Sequence, residues 1–150
     1  MLWLDHGYLE GDDTDAHIDT LARFAGPDAI VFQACDDPAD SHYAELQAMA
    51  DDIAALRTAE GQPYRLFPLP WAQPILDEGR RLAASYANFL IVNGAVLMPA
   101  YGDAADAAAA EVLATAFPDR EIVQVPCRSL IWQNGSLHCI TMQLPEGILA

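Results

Sequence analysis

Hydrophobic positions in this chain fall into short runs separated by turn residues, and their spacing switches between a strand period and a helix period. Leu2-Trp3-Leu4 reads as a buried strand. Ile18, Leu21, Ala22 and Phe24 predict a short helical or strand segment that stops at Gly26-Pro27. Ala29-Ile30-Val31-Phe32 reads as a short buried strand, and Asp36-Asp37-Pro38 as a turn with capping residues. Between residues 41 and 60, Tyr43, Leu46, Ala50, Ile53 and Leu56 recur at helical spacing, with Gly61 as the stop. Residues 64–70 alternate as a strand ending in prolines. Residues 71–81 have little period and predict a loop.

Two apolar runs, 86–92 and 95–99, flank Asn93-Gly94, a pair that tolerates positive φ and predicts a hairpin. Gly102-Asp103 opens a second helix reaching about Phe117, and Pro118-Asp119 ends it. Residues 121–125 read as a strand. Residues 136–143 alternate as a last one, which would set Cys139 mid-strand on the side of Leu137 and Thr141, opposite His138 and Ile140. Two units thus share the order helix then strand, the second preceded by a hairpin, which suggests a repeated ββαβ module. The fold class is α/β or α+β. No glycine-rich phosphate loop indicates a nucleotide fold.

With 150 residues, 53% of them hydrophobic, the chain has enough material for one ordinary domain with a core. Its formal charge is −15, and all seven basic residues are arginines. Such a surface repels nucleic acid and anionic membranes and attracts cations, while also serving solubility. Three widely spaced cysteines, Cys35, Cys127 and Cys139, suit a reducing compartment rather than a disulfide framework. No basic leader or uninterrupted apolar span is read, so the expectation is a cytoplasmic protein.

Charge concentrates in one stretch, where residues 12–19 hold four carboxylates and one imidazole. In extended backbone, Asp13, Asp15, His17 and Asp19 would share a face, an arrangement that calls for a positive partner. Three readings compete. Asp-x-His-x-Asp offers metal ligands, yet no second His or Cys cluster completes a site and the calcium-loop spacing is wrong. A solvated acidic loop with an incidental histidine is the plainest alternative. The third is nucleophilic catalysis, with Cys139 as thiolate, His17 as acid/base and a carboxylate holding a cationic group.

Four blocks bring a family into view. Gly11-Asp12-Asp13-Thr14-Asp15-Ala16-His17-Ile18-Asp19 resembles the G-x-x-T-D-x-H-x-D signature of the agmatine deiminases and bacterial, Porphyromonas-type peptidyl-arginine deiminases. Ala84-Ser85-Tyr86-Ala87-Asn88-Phe89 is similar to a second block. Residues 96–103, ending in Tyr-Gly-Asp, match a third. Leu137-His138-Cys139-Ile140-Thr141, followed by Gln143 and Pro145, matches the fourth.

The resemblance implies a guanidine-modifying hydrolase of the pentein type, an α/β propeller of ββαβ modules. Residues 1–150 would be the C-terminal part, about half of the propeller, with the N-terminal half absent. Cys139 would attack the guanidinium carbon, and His17 would protonate the departing ammonia and then activate water against the thiouronium adduct. Asp19 would pair with the guanidinium. Asp13, Asp15 and Gly135 would support these groups from behind.

For agmatine the products would be N-carbamoylputrescine and ammonia, a step of putrescine synthesis, with no cofactor and no metal. Peptidyl-arginine or free arginine as substrate stays open, as does a non-catalytic module that binds guanidines or polyamines. The missing half implies an inactive fragment, and either a homo-oligomer or completion by that half. Trp132-Gln133-Asn134-Gly135-Ser136 departs from the family's glycine run before the cysteine. Trp132 is expected as a buried structural residue rather than a cover for substrate.

Overall fold

A hairpin, a helix and a returning strand follow one another twice along the chain. In the computed structural model, which describes residues 2–12 and 17–148, the first unit is β1 (Ala22–Gly26), β2 (Ala29–Gln33), α1 (Tyr43–Ala55) and β3 (Arg65–Leu69). A small ribbon, β4 (Leu76–Asp77) and β5 (Arg80–Arg81), comes next. The second unit is β6 (Leu90–Val92), β7 (Ala95–Ala100), α2 (Asp106–Ala116) and β8 (Glu121–Pro126). In both units the hairpin is antiparallel, and the last strand returns parallel to the hairpin's second strand. A parallel return needs a crossover, which α1 and α2 supply. The repeated ββαβ module suggested by the hydrophobic pattern is therefore present in both halves, and the chain is a mixed α/β fold with small sheets.

The turns follow from their residues. Gly94 takes φ +77° between β6 and β7, as the Asn-Gly pair predicts. Glu78 and Gly79, at φ 48° and 82°, turn β4 into β5 inside the stretch expected to be loop. At the start of α2, the Asp106 carboxylate accepts the backbone N–H groups of Tyr101, Gly102 and Asp103 at 2.9–3.2 Å. Helix α1 ends at Ala55 rather than near Glu60. Beyond it the Thr58 hydroxyl accepts the N–H groups of Glu60 and Gln62, closing a separate turn that competes with helix.

Two expected strands are absent. Residues 2–4 form none, and Trp3 is 74% exposed. Residues 136–143 form none either, because the chain there coils into 3-10 turns at Leu130–Gln133 and His138–Ile140. The N–H that a strand would offer to a neighbour, that of His138, is bonded to Asn88 instead.

Strand β2 explains how the units join. All five of its residues are buried. Ile30 and Phe32 pack with Leu46, Met49 and Ile53 of α1. Val31 belongs to the other core, with Leu69, Tyr86, Phe89, Met98, Leu113 and Phe117. Alternate side chains thus enter different cores, and an unbroken apolar run is what a strand covered on both faces requires.

A buried charge cluster fastens the polar segment that precedes the site. The Asp40 carboxylate accepts two bonds from Arg81 at 2.7 and 3.0 Å, one from Trp71 Nε1 at 2.8 Å and one from His42 Nδ1 at 2.7 Å. His42 is fully buried, and its Nε2 accepts the N–H of Glu10 at 2.9 Å. That contact leaves the ring proton on Nδ1, aimed at Asp40. Burial works against the Asp40 charge, but Arg81, His42 and Trp71 together hold its carboxyl well below the usual carboxylate range.

Candidate active site

Three non-regular segments converge at one end of the joined units. They are the 3-10 turn Ile18–Thr20 before β1, the bend at residues 85–88 before β6, and the 3-10 turn His138–Ile140. A line of buried polar groups holds them together. Gln33 Oε1 accepts the N–H of Tyr86 at 3.0 Å, while its Nε2 donates to the carbonyl of Pro70 at 2.7 Å. The Ser85 hydroxyl donates to the Thr20 carbonyl at 2.6 Å. The Tyr101 hydroxyl lies 2.9 Å from both the Ser85 carbonyl and the Ser136 hydroxyl. Buried polar groups need partners, and satisfying these fixes the relative placement of the three segments.

Within that frame Asp19, Asn88, His138 and Cys139 meet. Asp19 Oδ2 accepts from His138 Nδ1 at 2.7 Å and from Asn88 Nδ2 at 3.1 Å, and lies 3.7 Å from Cys139 Sγ. Asp19 Oδ1 is buried and has no partner among the described residues. Gly135 is buried directly behind the cysteine, where an added Cβ would stand 2.9 Å from Cys139 Cβ and 3.3 Å from Sγ. Arg23 lies over the Phe89 ring at 5.1 Å and donates to the Phe89 carbonyl at 2.9 Å.

The electrostatics separate the acid from the thiol. Burial works against the Asp19 charge, but His138, Arg23 and Asn88 outweigh it and lower the carboxyl's pKa. Burial raises that of the Cys139 thiol, and the Asp19 charge adds to this, against opposing bonds from Ser136 and Asn88. The site therefore presents a carboxylate beside a protonated thiol. A cation entering there would favour both the carboxylate and the thiolate.

The structure brings together two of the three principal residues expected from sequence. Cys139 and Asp19 are adjacent, and Cys139 is exposed whereas Cys35 and Cys127 are buried. His17 is exposed, and its imidazole forms no hydrogen bond with Cys139 or Asp19; its carbonyl accepts from the Thr20 hydroxyl. In the described part of the stretch expected to be extended, a 3-10 turn begins at Ile18, so His17 and Asp19 do not follow strict alternation. Asp13 and Asp15 lie outside the described residues. Trp132 is 58% exposed, not buried, because it rides on the outer side of the 130–133 turn.

Sequence reasoning missed His138, Asn88 and Arg23. A strand reading turns His138 away from Cys139, whereas the 3-10 turn lets both face Asp19. Asn88 lies inside the second family block, where nothing in the pattern gives it a role. Among the described residues, no group of three or more His, Cys, Asp and Glu side chains is placed to hold a metal ion, and no helix is long and apolar enough to cross a membrane.

Residues 1–145 match the profile of the Porphyromonas-type peptidyl-arginine deiminases. The chain belongs to that family. An agmatine deiminase of Pseudomonas putida is 35% identical over 166 aligned positions, covering 99% of this chain and 45% of that protein. The C. jejuni agmatine deiminase, solved as a cysteine-to-serine variant with substrate bound, superposes with a TM-score of 0.84 at 42% identity, over 91% of this chain and 39% of that one. The Enterococcus faecalis agmatine deiminase gives 0.81 at 29% identity, over 88% of this chain and 41% of that one. This family member thus spans less than half the length of these relatives.

Proposed function

We propose that this chain carries the nucleophile and one guanidinium clamp of a deiminase that hydrolyses agmatine to N-carbamoylputrescine and ammonia, feeding putrescine synthesis. The observation that carries the reading is the buried Oδ1 of Asp19, without a partner among the described residues, beside the Cys139 thiol. A buried carboxylate oxygen without a donor is costly, and a planar N–H group of a guanidinium would satisfy it while presenting its carbon to the sulfur. The net charge of −15 supports agmatine over arginine, because agmatine is a dication and carries no carboxylate.

In this reading the cationic substrate lowers the thiol's pKa, and the Cys139 thiolate forms a C–S bond to the guanidinium carbon. The C–N bond then breaks, and His17 delivers the proton that lets nitrogen leave as ammonia. The S-linked thiouronium remains on Cys139. Water, deprotonated by His17, adds to that carbon, the C–S bond breaks, and the ureido product leaves with oxygen from water. His17 must turn inward for this role, since its imidazole is exposed in the present arrangement.

We further propose that residues 1–150 form the C-terminal part of a pentein-type propeller. The rest of that fold would cover the apolar groove lined by Leu2, Trp3, Ile18, Phe24, Ile53 and Leu56 and would supply the remaining clamp. The test is ammonia release from agmatine by the chain joined to the missing part of the family fold. Turnover should vanish, together with the covalent adduct seen by mass spectrometry, in Cys139→Ala. Turnover that survives this substitution would sink the mechanism. Saturable agmatine binding with neither adduct nor ammonia would instead support a binding module.

A further inference from the structure

Asn88 touches Asp19, His138 and Cys139 and is itself fully buried. Its Oδ1 accepts the N–H of His138 at 2.8 Å and lies 3.4 Å from the backbone nitrogen of Cys139 and 3.5 Å from its Sγ. Its backbone carbonyl also accepts the His138 N–H, at 3.2 Å. On its other side Nδ2 lies 3.1 Å from Asp19 Oδ2, 3.3 Å from the Asp19 carbonyl and 3.2 Å from Cys139 Sγ. An amide suits this place because it offers an acceptor on one side and two donors on the other. Flipping it would set N–H against N–H and oxygen against carboxylate, so the contacts fix its orientation.

The need for such a group follows from the pair it separates. Cys139 Sγ and Asp19 Oδ2 are 3.7 Å apart, and two negative charges at that distance repel. We propose that Asn88 is the positioning residue of the nucleophile. Its Oδ1 pins the start of the 3-10 turn that aims Cys139, and its Nδ2 stands between sulfur and carboxylate as a shared donor. The assignment rests on Cys139 being the nucleophile, as proposed above.

The other charged or titratable groups that bear on the sulfur are Asp19, His138 acting through Asp19, Arg23 on β1 and the buried Tyr101. Asn88 differs from them in offering an uncharged N–H donor directly to the sulfur. That contact opposes the burial and the Asp19 charge that push the thiol up.

Alkylation of the 150-residue chain by iodoacetamide, followed by peptide mass spectrometry across pH, tests this. Exposed Cys139 should react while buried Cys35 and Cys127 stay protected, giving an internal measure of folding. Asn88→Asp keeps the size of the side chain but replaces the donor with a charge. The Cys139 labelling rate at pH 8 should fall about tenfold or more, with its pH midpoint moved upward, and Cys35 and Cys127 unchanged. Asn88→Ala should move the profile in the same direction by a smaller factor.

If Asn88→Ala exposes the buried cysteines, Asn88→Asp decides alone. A profile for Asn88→Asp that superimposes on the parent overturns the assignment. Labelling of all three cysteines in both variants overturns it too, since Asn88 would then be a packing residue only. Agmatine is absent from this experiment. A shifted profile here, together with no ammonia release from agmatine by the chain joined to the missing part of the family fold, would leave Asn88 as assigned and remove the substrate reading.

Discussion

Nδ1 of His138 lies 2.7 Å from Oδ2 of Asp19, a residue 119 positions earlier in the chain. The contact fixes the ring proton on Nδ1 when the imidazole is neutral and commits one carboxylate oxygen. The other oxygen, Oδ1, is buried and has no partner among the described residues. A carboxylate held this way stays ionised at neutral pH and is oriented before any cation arrives.

Asp19→Asn should therefore weaken agmatine binding about 30-fold or more, the equivalent of about 2 kcal/mol for a hydrogen bond to a charged group. Calorimetry on the 150-residue chain and on Cys139→Ala sets the reference, since the latter should retain binding. Equal affinity in the parent and in Asp19→Asn would remove this carboxylate from the binding role.

Gly135→Ala should disturb the nucleophile before it disturbs the fold. The new methyl would sit 2.9 Å from Cys139 Cβ, closer than packed carbon atoms tolerate. Overpacking of this sort costs about 1–3 kcal/mol, which a thermal melt would register as a modest drop. Cys139 alkylation should change by a much larger factor than that of the control cysteines, Cys35 and Cys127. A melt and a labelling rate both identical to the parent would show that the turn yields without consequence.

Asp40→Asn should destabilise the first unit by up to about 3 kcal/mol at pH 7, because it leaves the part-buried Arg81 without its counter-charge. The Asp40 carboxyl titrates lower folded than unfolded. Its contribution is therefore fully present above the ordinary carboxylate range, about pH 4, and is lost as pH falls toward the folded value. Melting curves of parent and variant should draw together as pH falls below about 4. A constant gap from pH 7 to about pH 3 would count against the ionic account.

The apolar groove predicts association. Trp3 is 74% exposed, Phe24 55% and Ile18 51%, a grouping that isolated chains seldom leave in water. Sedimentation of the 150-residue chain alone should show self-association that Phe24→Glu weakens without lowering the melting temperature. A monodisperse monomer at high concentration would mean that the groove needs no cover.

How much of this was legible beforehand depended on whether a signal was local. Asn93-Gly94, the spacing of Tyr43, Leu46 and Ile53, and the β2 run each carry their structure in a few neighbouring residues. Both helices, strand β2 and the hairpin of the second unit followed from these. Where the pattern misled, a long-range partner decided the outcome: the 136–143 alternation is real, but among the described residues no strand lies alongside to pair with it, and Asn88 bonds its backbone instead. The site was half legible for the same reason. A cysteine and an aspartate announce their chemistry, whereas an asparagine 51 positions from the cysteine has no local mark that distinguishes it from a surface amide.

Because β2 sends alternate side chains into two different cores, neither ββαβ unit owns a complete interior. The boundary between the repeats is therefore not a place where the molecule can be cut or can melt in stages. Hydrogen exchange should be slowest along β2, and both helices should lose protection in one step. A cavity made under α1, at Met49 for example, would then be felt at Cys139 through a strand that belongs equally to both halves.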